Sequence, residues 1–222
     1  MPATGNVQGM VAQRQALSRW LRDLPADGWN DTVRAVVERV CTRYLRALDR
    51  DDTVSVPDDR AAAADMLDRV GQGTEMTFAD RADDRWELSR DEFRAEGGTT
   101  EMNIDDVIAS LHIAAVELGR LTGRPVAIPP EAREAAVAAV VWRASDKVEA
   151  PVRIVLDTGT DYMVGPGTPA GVLETDSEAV LEVAGGVSEP SELAAAGRWR
   201  FEGPDDAREA FERTFRIDYG GD

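Results

Sequence analysis

The sequence predicts an α+β protein in two parts, a bundle of amphipathic helices followed by a small α/β domain. Up to about residue 145, apolar residues recur every three or four positions, the period of helices that bury one face. From Val152 onward they alternate with polar residues, as they do in strands. We therefore expect two domains, residues 1–148 and residues 149–222.

The first half of the bundle consists of two predicted helices and a shorter one. The first helix runs from about Val7 to Leu24, where Pro25 interrupts the pattern. The second begins at a capping residue, Asp31, and its apolar stripe comprises Val33, Val36, Val37, Val40, Tyr44 and Leu48. A short helix capped by Asp58 carries Ala62, Met66, Leu67 and Val70. Trp86 and Phe93 are expected to close the bundle.

Two further helices complete the predicted bundle. A long one begins near Asn103 and ends at Gly123, and its stripe comprises Ile104, Val107, Ile108, Leu111, Ala115 and Leu118. Another starts at Pro130, a residue favoured in the first turn of a helix.

The C-terminal part has the pattern of short strands and helices that is typical of a small α/β domain. Four strands are predicted, at residues 152–156, 162–164, 170–174 and around 199–201. Between the third and fourth strands we expect helices at 177–184 and 190–196, and Pro204 opens a last helix.

Composition narrows the classes of partner. The formal net charge of −17 repels phosphate groups, so nucleic acids and anionic membranes are unfavourable partners. No apolar run reaches the roughly 18 residues of a membrane span, and the first ten residues do not resemble a signal peptide. We expect a cytoplasmic protein with a small-molecule substrate or ligand. The sequence leaves its oligomeric state open.

His112 and Cys41, each the only residue of its type, are the first candidates for chemistry. His112 on a bundle helix is suited to metal binding or proton transfer, or it is a partly buried side chain bonded to a carbonyl or carboxylate. Its neighbours at helical spacing are Ile108, Ala109, Ala115 and Val116, which cannot ligate a metal. Cys41 fits a small core residue better than a nucleophile.

Arg198 and Arg200 fall on one side of the predicted fourth strand. Two guanidinium groups on one face suit a carboxylate of a ligand. In so acidic a chain they also suit ion pairs with the protein's own carboxylates.

Three segments together resemble the mycothiol-dependent maleylpyruvate isomerase-like family. The first is Asp27-Gly28-Trp29 with residues 32–37, and the second is Leu111-His112 with residues 117–119 and 123–125. The third joins residues 152–159, 165–167 and 196–198. The resemblance implies a DinB-type four-helix bundle followed by a domain like that of sterol carrier proteins. It also implies zinc in the bundle, which activates the thiol of a small cofactor, mycothiol or another low-molecular-weight thiol.

The chain departs from this family at the metal ligands. Arg39 stands at the second-helix histidine position, with Glu38 beside it, and Ile108 stands where the family has a glutamate. The resemblance therefore implies a degenerate metal site of His112 and Glu38. We expect His112 and Arg39 to face one interior space, with His112 as acid–base group.

The remaining site residues also follow from the resemblance. Arg39 and Arg198 are anion anchors, and Trp29 is a wall of the pocket. Two functions fit. One is thiol-dependent isomerase or transferase chemistry on a small organic molecule, with or without metal. The other is a non-catalytic small-molecule-binding or regulatory protein that keeps the fold.

Overall fold

The computed structural model describes residues 3–47, 54–85 and 104–216, with side chains described for 7–47, 54–77 and 107–216. The chain divides into two compact units, Met1–Ala132 and Arg133–Asp222. The predicted positions of Leu48, Trp86, Phe93 and Asn103 lie outside the described residues.

Four described helices form the N-terminal unit: α1 (Ala3–Asp23), α2 (Asp31–Arg46), α3 (Arg60–Arg85) and α4 (Ile104–Thr122). Helices α1 and α2 each pack against both α3 and α4, the arrangement of a four-helix bundle. Their apolar stripes meet in a core in which the largest fully buried side chains are Met10, Leu17, Leu21, Leu24, Tyr44, Leu67, Ile108, Leu111 and Leu118.

Two helix caps lie one residue from their predicted positions. Asn30, not Asp31, caps α2, because its side-chain oxygen accepts a hydrogen bond from the Val33 N–H at 3.1 Å. At the start of α3 the Asp59 carboxylate, not that of Asp58, accepts from the Ala62 N–H at 2.8 Å.

Helix α3 is much longer than the predicted short helix. It continues through Gly71 and Gly73, two residues of low helix propensity. A Cβ on Gly71 would lie 2.2 Å from Cδ of Arg14, so this glycine lets the two helices approach across an arginine side chain. At Gly71, the packing of α3 against α1 therefore outweighs the low helix propensity of glycine.

The C-terminal unit contains a four-stranded mixed sheet among its described residues. The strands are β1 (Val152–Leu156), β2 (Asp161–Val164), β3 (Gly171–Thr175) and β4 (Trp199–Glu202), in the order β2-β1-β3-β4. Strands β1 and β3 run parallel, with Ile154 opposite Leu173, and the two edge strands pair antiparallel. The predicted α+β class is confirmed.

Helices α6 (Ser177–Ala184), α7 (Pro190–Ala195) and α8 (Asp205–Thr214) complete this unit close to their predicted bounds. Helix α5 (Pro130–Ser145) begins in the first unit and continues into the second. The second unit thus starts earlier than the predicted boundary at residues 148–149. Phe211 stacks on Phe215 with ring centroids 4.7 Å apart, and Phe215 also lies 6.4 Å from Trp199. Among the described helices none is both long and apolar enough to cross a bilayer.

Candidate functional site

His112 lies inside the helical unit. It is on α4, and its side chain is 2% exposed. Ile108 and Ala109, one turn before it, are fully buried, and Ala115 after it is 3% exposed. This face of α4 is therefore a core face, and the imidazole is enclosed more completely than the sequence predicted.

Arg39 does not share that interior. The side chain is 53% exposed and forms an ion pair with Glu117 of α4, itself 27% exposed. On α2 the buried stripe consists of Val33, Val36, Val37, Val40, Cys41, Tyr44 and Leu45, and Arg39 falls outside it. The prediction of one interior space for Arg39 and His112 is wrong, because the helix turns Arg39 toward solvent.

Glu38 and Cys41 lie one helical turn apart on α2. Glu38 is half-buried, whereas Cys41 is fully buried. Burial raises the pKa of the Cys41 thiol to about 12, and the nearby Glu38 carboxylate adds to this effect. A thiol that stays protonated at neutral pH is a poor nucleophile, so Cys41 is a core residue.

The described residues do not fit a zinc site. Zinc in proteins takes three or four nitrogen, sulfur or oxygen ligands. Nowhere in the described side chains do three His, Cys, Asp or Glu residues come together in a way that could hold a metal ion. The α2 position that the resemblance assigns to a ligand carries a guanidinium that is paired on the surface.

Trp29 links two connecting segments of the helical unit. It follows a 3-10 turn at Ala26–Gly28 and is half-buried. Its indole Nε1 donates to the carbonyl oxygen of Asp58 at 2.6 Å, which ties the α1–α2 connection to the segment before α3. Its predicted role as a pocket wall stays a prediction.

Arg198 is fully engaged with carboxylates of its own unit. Its Nε and Nη2 each lie 2.7 Å from an oxygen of Asp176, the residue that caps α6, and Nη1 lies 2.9 Å from Glu182. Although burial opposes it, the Arg198 pairing together with the cap hydrogen bonds lowers the pKa of Asp176. An anion would have to displace one of these carboxylates, so anion binding by Arg198 stays a prediction.

Arg200 also pairs within the protein. It contacts Glu174 on β3 at 3.2 Å and Glu202 at 2.7 Å, and all three side chains are about half exposed or more. Both arginines thus form the internal ion pairs that the acidic composition suggested.

A buried ion-pair cluster, which consists of Arg14, Ser18, Asp68 and Glu75, was not predicted from the sequence. Arg14 on α1 is 3% exposed, and its Nε and Nη2 lie 2.7 and 3.0 Å from the two carboxylate oxygens of Glu75 on α3. Its Nη1 contacts Asp68, which also accepts from the Ser18 hydroxyl at 2.7 Å. The signal was present, since Arg14 stands between Met10 and Leu17 on the apolar stripe of α1.

Tyr44 on α2 borders the same cluster. A Cβ on Gly71 would lie 3.2 Å from Cζ of Tyr44 and 3.1 Å from Nε of Arg14, so both side chains lie against this glycine. The Tyr44 side chain is fully buried, and its hydroxyl has no hydrogen-bond partner among the described residues. Burial, reinforced by the Glu75 carboxylate, raises the pKa of Tyr44 well above its usual value, so the hydroxyl is neutral.

Comparison with known proteins gives two structural matches. A scan against models of protein families and a search of curated proteins both find no match. The chain is similar to a crystal structure of mycothiol-dependent maleylpyruvate isomerase, with 16% identity and a TM-score of 0.45. It is also similar to a histidine-to-alanine mutant of that protein, with 12% identity and a TM-score of 0.47. Each match covers 92% of this chain and 95% of the other. At these values neither structure assigns an activity to this chain.

Proposed function

We propose that this chain is a non-catalytic protein that binds a small organic molecule and works without a zinc ion. The observation that carries the proposal is the position of Arg39. The residue that the sequence resemblance places at a metal-ligand position is a surface guanidinium paired with Glu117. A fixed positive charge there opposes a divalent cation, and its pairing with Glu117 keeps the guanidinium at the surface.

The environment of His112 supports the same conclusion. Ile108 occupies the position assigned to a glutamate ligand and is fully buried. An aliphatic side chain cannot coordinate a metal, so this position supplies no ligand beside His112. His112 is therefore suited to a hydrogen bond or to proton transfer rather than to metal coordination.

The chain also offers no activated nucleophile of its own at Cys41. The thiol is fully buried, and its pKa is raised to about 12. Covalent chemistry would require a thiol supplied from solution, which makes binding the simpler function.

A second candidate is thiol-dependent isomerase or transferase chemistry that uses a soluble thiol such as mycothiol. The three sequence segments favour it, together with the burial of His112 at 2% exposure. In this candidate the soluble thiol adds to an electrophilic substrate, and its proton passes to His112 as general base. Arg39 would bind an anionic group of the substrate once released from Glu117.

Thermal-shift screening separates these functions. The protein is heated in EDTA with low-molecular-weight thiols and with small carboxylic acids, because a ligand that binds only the folded state raises the melting temperature. Every compound that binds is then incubated with protein, a thiol and maleylpyruvate, and products are followed by NMR. Binding without turnover supports the proposal, whereas turnover abolished by His112→Gln establishes the second candidate.

The control variant for this screen is Ile113→Val. Ile113 is on the same helix and is 6% exposed, so its truncation perturbs packing without touching the imidazole. If neither class of compound raises the melting temperature and no turnover is seen, the proposal is wrong.

A further inference from the structure

We propose that the helical unit binds one internal water molecule between α1, α2 and α3, held by the Tyr44 hydroxyl and the Arg14–Glu75 ion pair. The site lies beyond the segments on which the proposed function depends. Tyr44 is fully buried, and its hydroxyl makes no hydrogen bond to any described residue. Buried hydroxyl groups in native proteins are nearly always satisfied, by protein atoms or by water.

The groups that would hold the water molecule lie beside one another. Arg14 and Tyr44 both reach to within 3.2 Å of one point beside the Gly71 backbone, so they are neighbours. They nevertheless make no direct hydrogen bond, since the Tyr44 hydroxyl has no partner among the described residues, while both oxygens of Glu75 accept from Arg14. Three of the five guanidinium N–H groups are used in the bonds to Glu75 and Asp68. A water molecule joins these groups with partners on both sides.

Charge selects a neutral occupant. One buried guanidinium, Arg14, faces two carboxylates, Asp68 and Glu75, and the second arginine on Asp68, Arg22, is 40% exposed. Two arginines therefore balance two carboxylates, and the cluster carries no net positive charge that would attract an anion. A metal ion would need carboxylate oxygens that Arg14 already occupies, and the neutral Tyr44 hydroxyl is a weak ligand.

The direction in which Tyr44→Phe changes the melting temperature tests the inference. If water satisfies the hydroxyl, Tyr44→Phe removes a hydrogen bond and lowers the melting temperature by about 2–4 °C. If the hydroxyl has no partner at all, the same change removes an unpaired buried polar group and raises the melting temperature. The control is Tyr162→Phe, since Tyr162 is only half-buried and belongs to the other unit, where we expect almost no change.

Counting long-lived waters provides the second measurement. Oxygen-17 relaxation dispersion of wild type and Tyr44→Phe should differ by one water molecule per chain. An equal count in the two proteins, a higher melting temperature for Tyr44→Phe, or a crystal structure with an ion between Tyr44 and Arg14 would each overturn the inference.

Discussion

Replacing Arg14 by methionine should destabilise the helical unit more than any surface charge change. Methionine keeps the apolar stem but removes the guanidinium that pairs with Glu75 through two hydrogen bonds and with Asp68 through one. Asp68 retains Ser18 and Arg22, whereas every charged contact described for Glu75 is to Arg14. Glu75 is 6% exposed, so the change leaves a carboxylate buried and uncompensated.

Removing one partner of a buried ion pair in this way lowers the free energy of unfolding by about 3–5 kcal/mol. For a chain of this size, that corresponds to a fall in melting temperature of about 6–20 °C. Arg22→Met is the matched control, since Arg22 is also on α1 and also contacts Asp68, but it is 40% exposed. Removing the Arg22 guanidinium should lower the free energy of unfolding by about 1 kcal/mol or less.

Labelling of Cys41 by a thiol reagent in increasing urea measures the stability of the helical unit, which contains Arg14. This single, fully buried cysteine belongs to the helical unit, so its labelling reports the opening of that unit alone. The double variant Arg14→Met/Glu75→Leu should recover most of the lost stability, because it removes the stranded carboxylate. If Arg14→Met costs no more than Arg22→Met, or if the double variant is no more stable, the reasoning about the buried cluster fails.

Three further predictions concern other parts of the structure. Arg39→Gln breaks an exposed pair and should change the free energy of unfolding by no more than about 1 kcal/mol in urea titrations; a larger loss would show that Arg39 is not a surface residue. Because the pKa of Asp176 is lowered in the folded state, its pairing stabilises the protein above the unfolded pKa and is lost as pH falls through the folded value. Arg198→Gln should therefore move acid unfolding of the C-terminal unit, followed by near-UV circular dichroism, to higher pH. The raised pKa of Cys41 stabilises the folded state fully below the pKa of an unfolded thiol, and this contribution is lost as pH rises toward 12. Because the buried thiol stays protonated at pH 8, native protein should react with a thiol reagent only on unfolding.

The C-terminal unit could be predicted from the sequence almost element by element. Its strands alternate apolar and polar residues, and its turns carry glycine at positive φ, such as Gly159 and Gly165. These are local signals, and local signals determine short strands and tight turns. The same holds for α6, whose cap Asp176 stands directly before the helix.

The helical unit was harder to predict because tertiary packing decides its details. Gly71 and Gly73 lower the helix propensity of α3 and so hid its length, and Gly71 is the one of the two that makes room for Arg14. The exposure of Arg39 was predictable, because Arg39 falls outside the apolar stripe of α2. Its interior placement was predicted only because the family resemblance puts a metal ligand at this position. Arg14 shows the converse, a charged residue within a stripe whose partners on α3 no local pattern reveals.

The metal content of the purified protein tests the central claim most directly. The protein is prepared without a histidine tag, in medium containing zinc, and is analysed by mass spectrometry of metals. Far less than one zinc per chain is the predicted result, with the same melting temperature in EDTA as in zinc. One zinc per chain that disappears in His112→Ala would contradict the account.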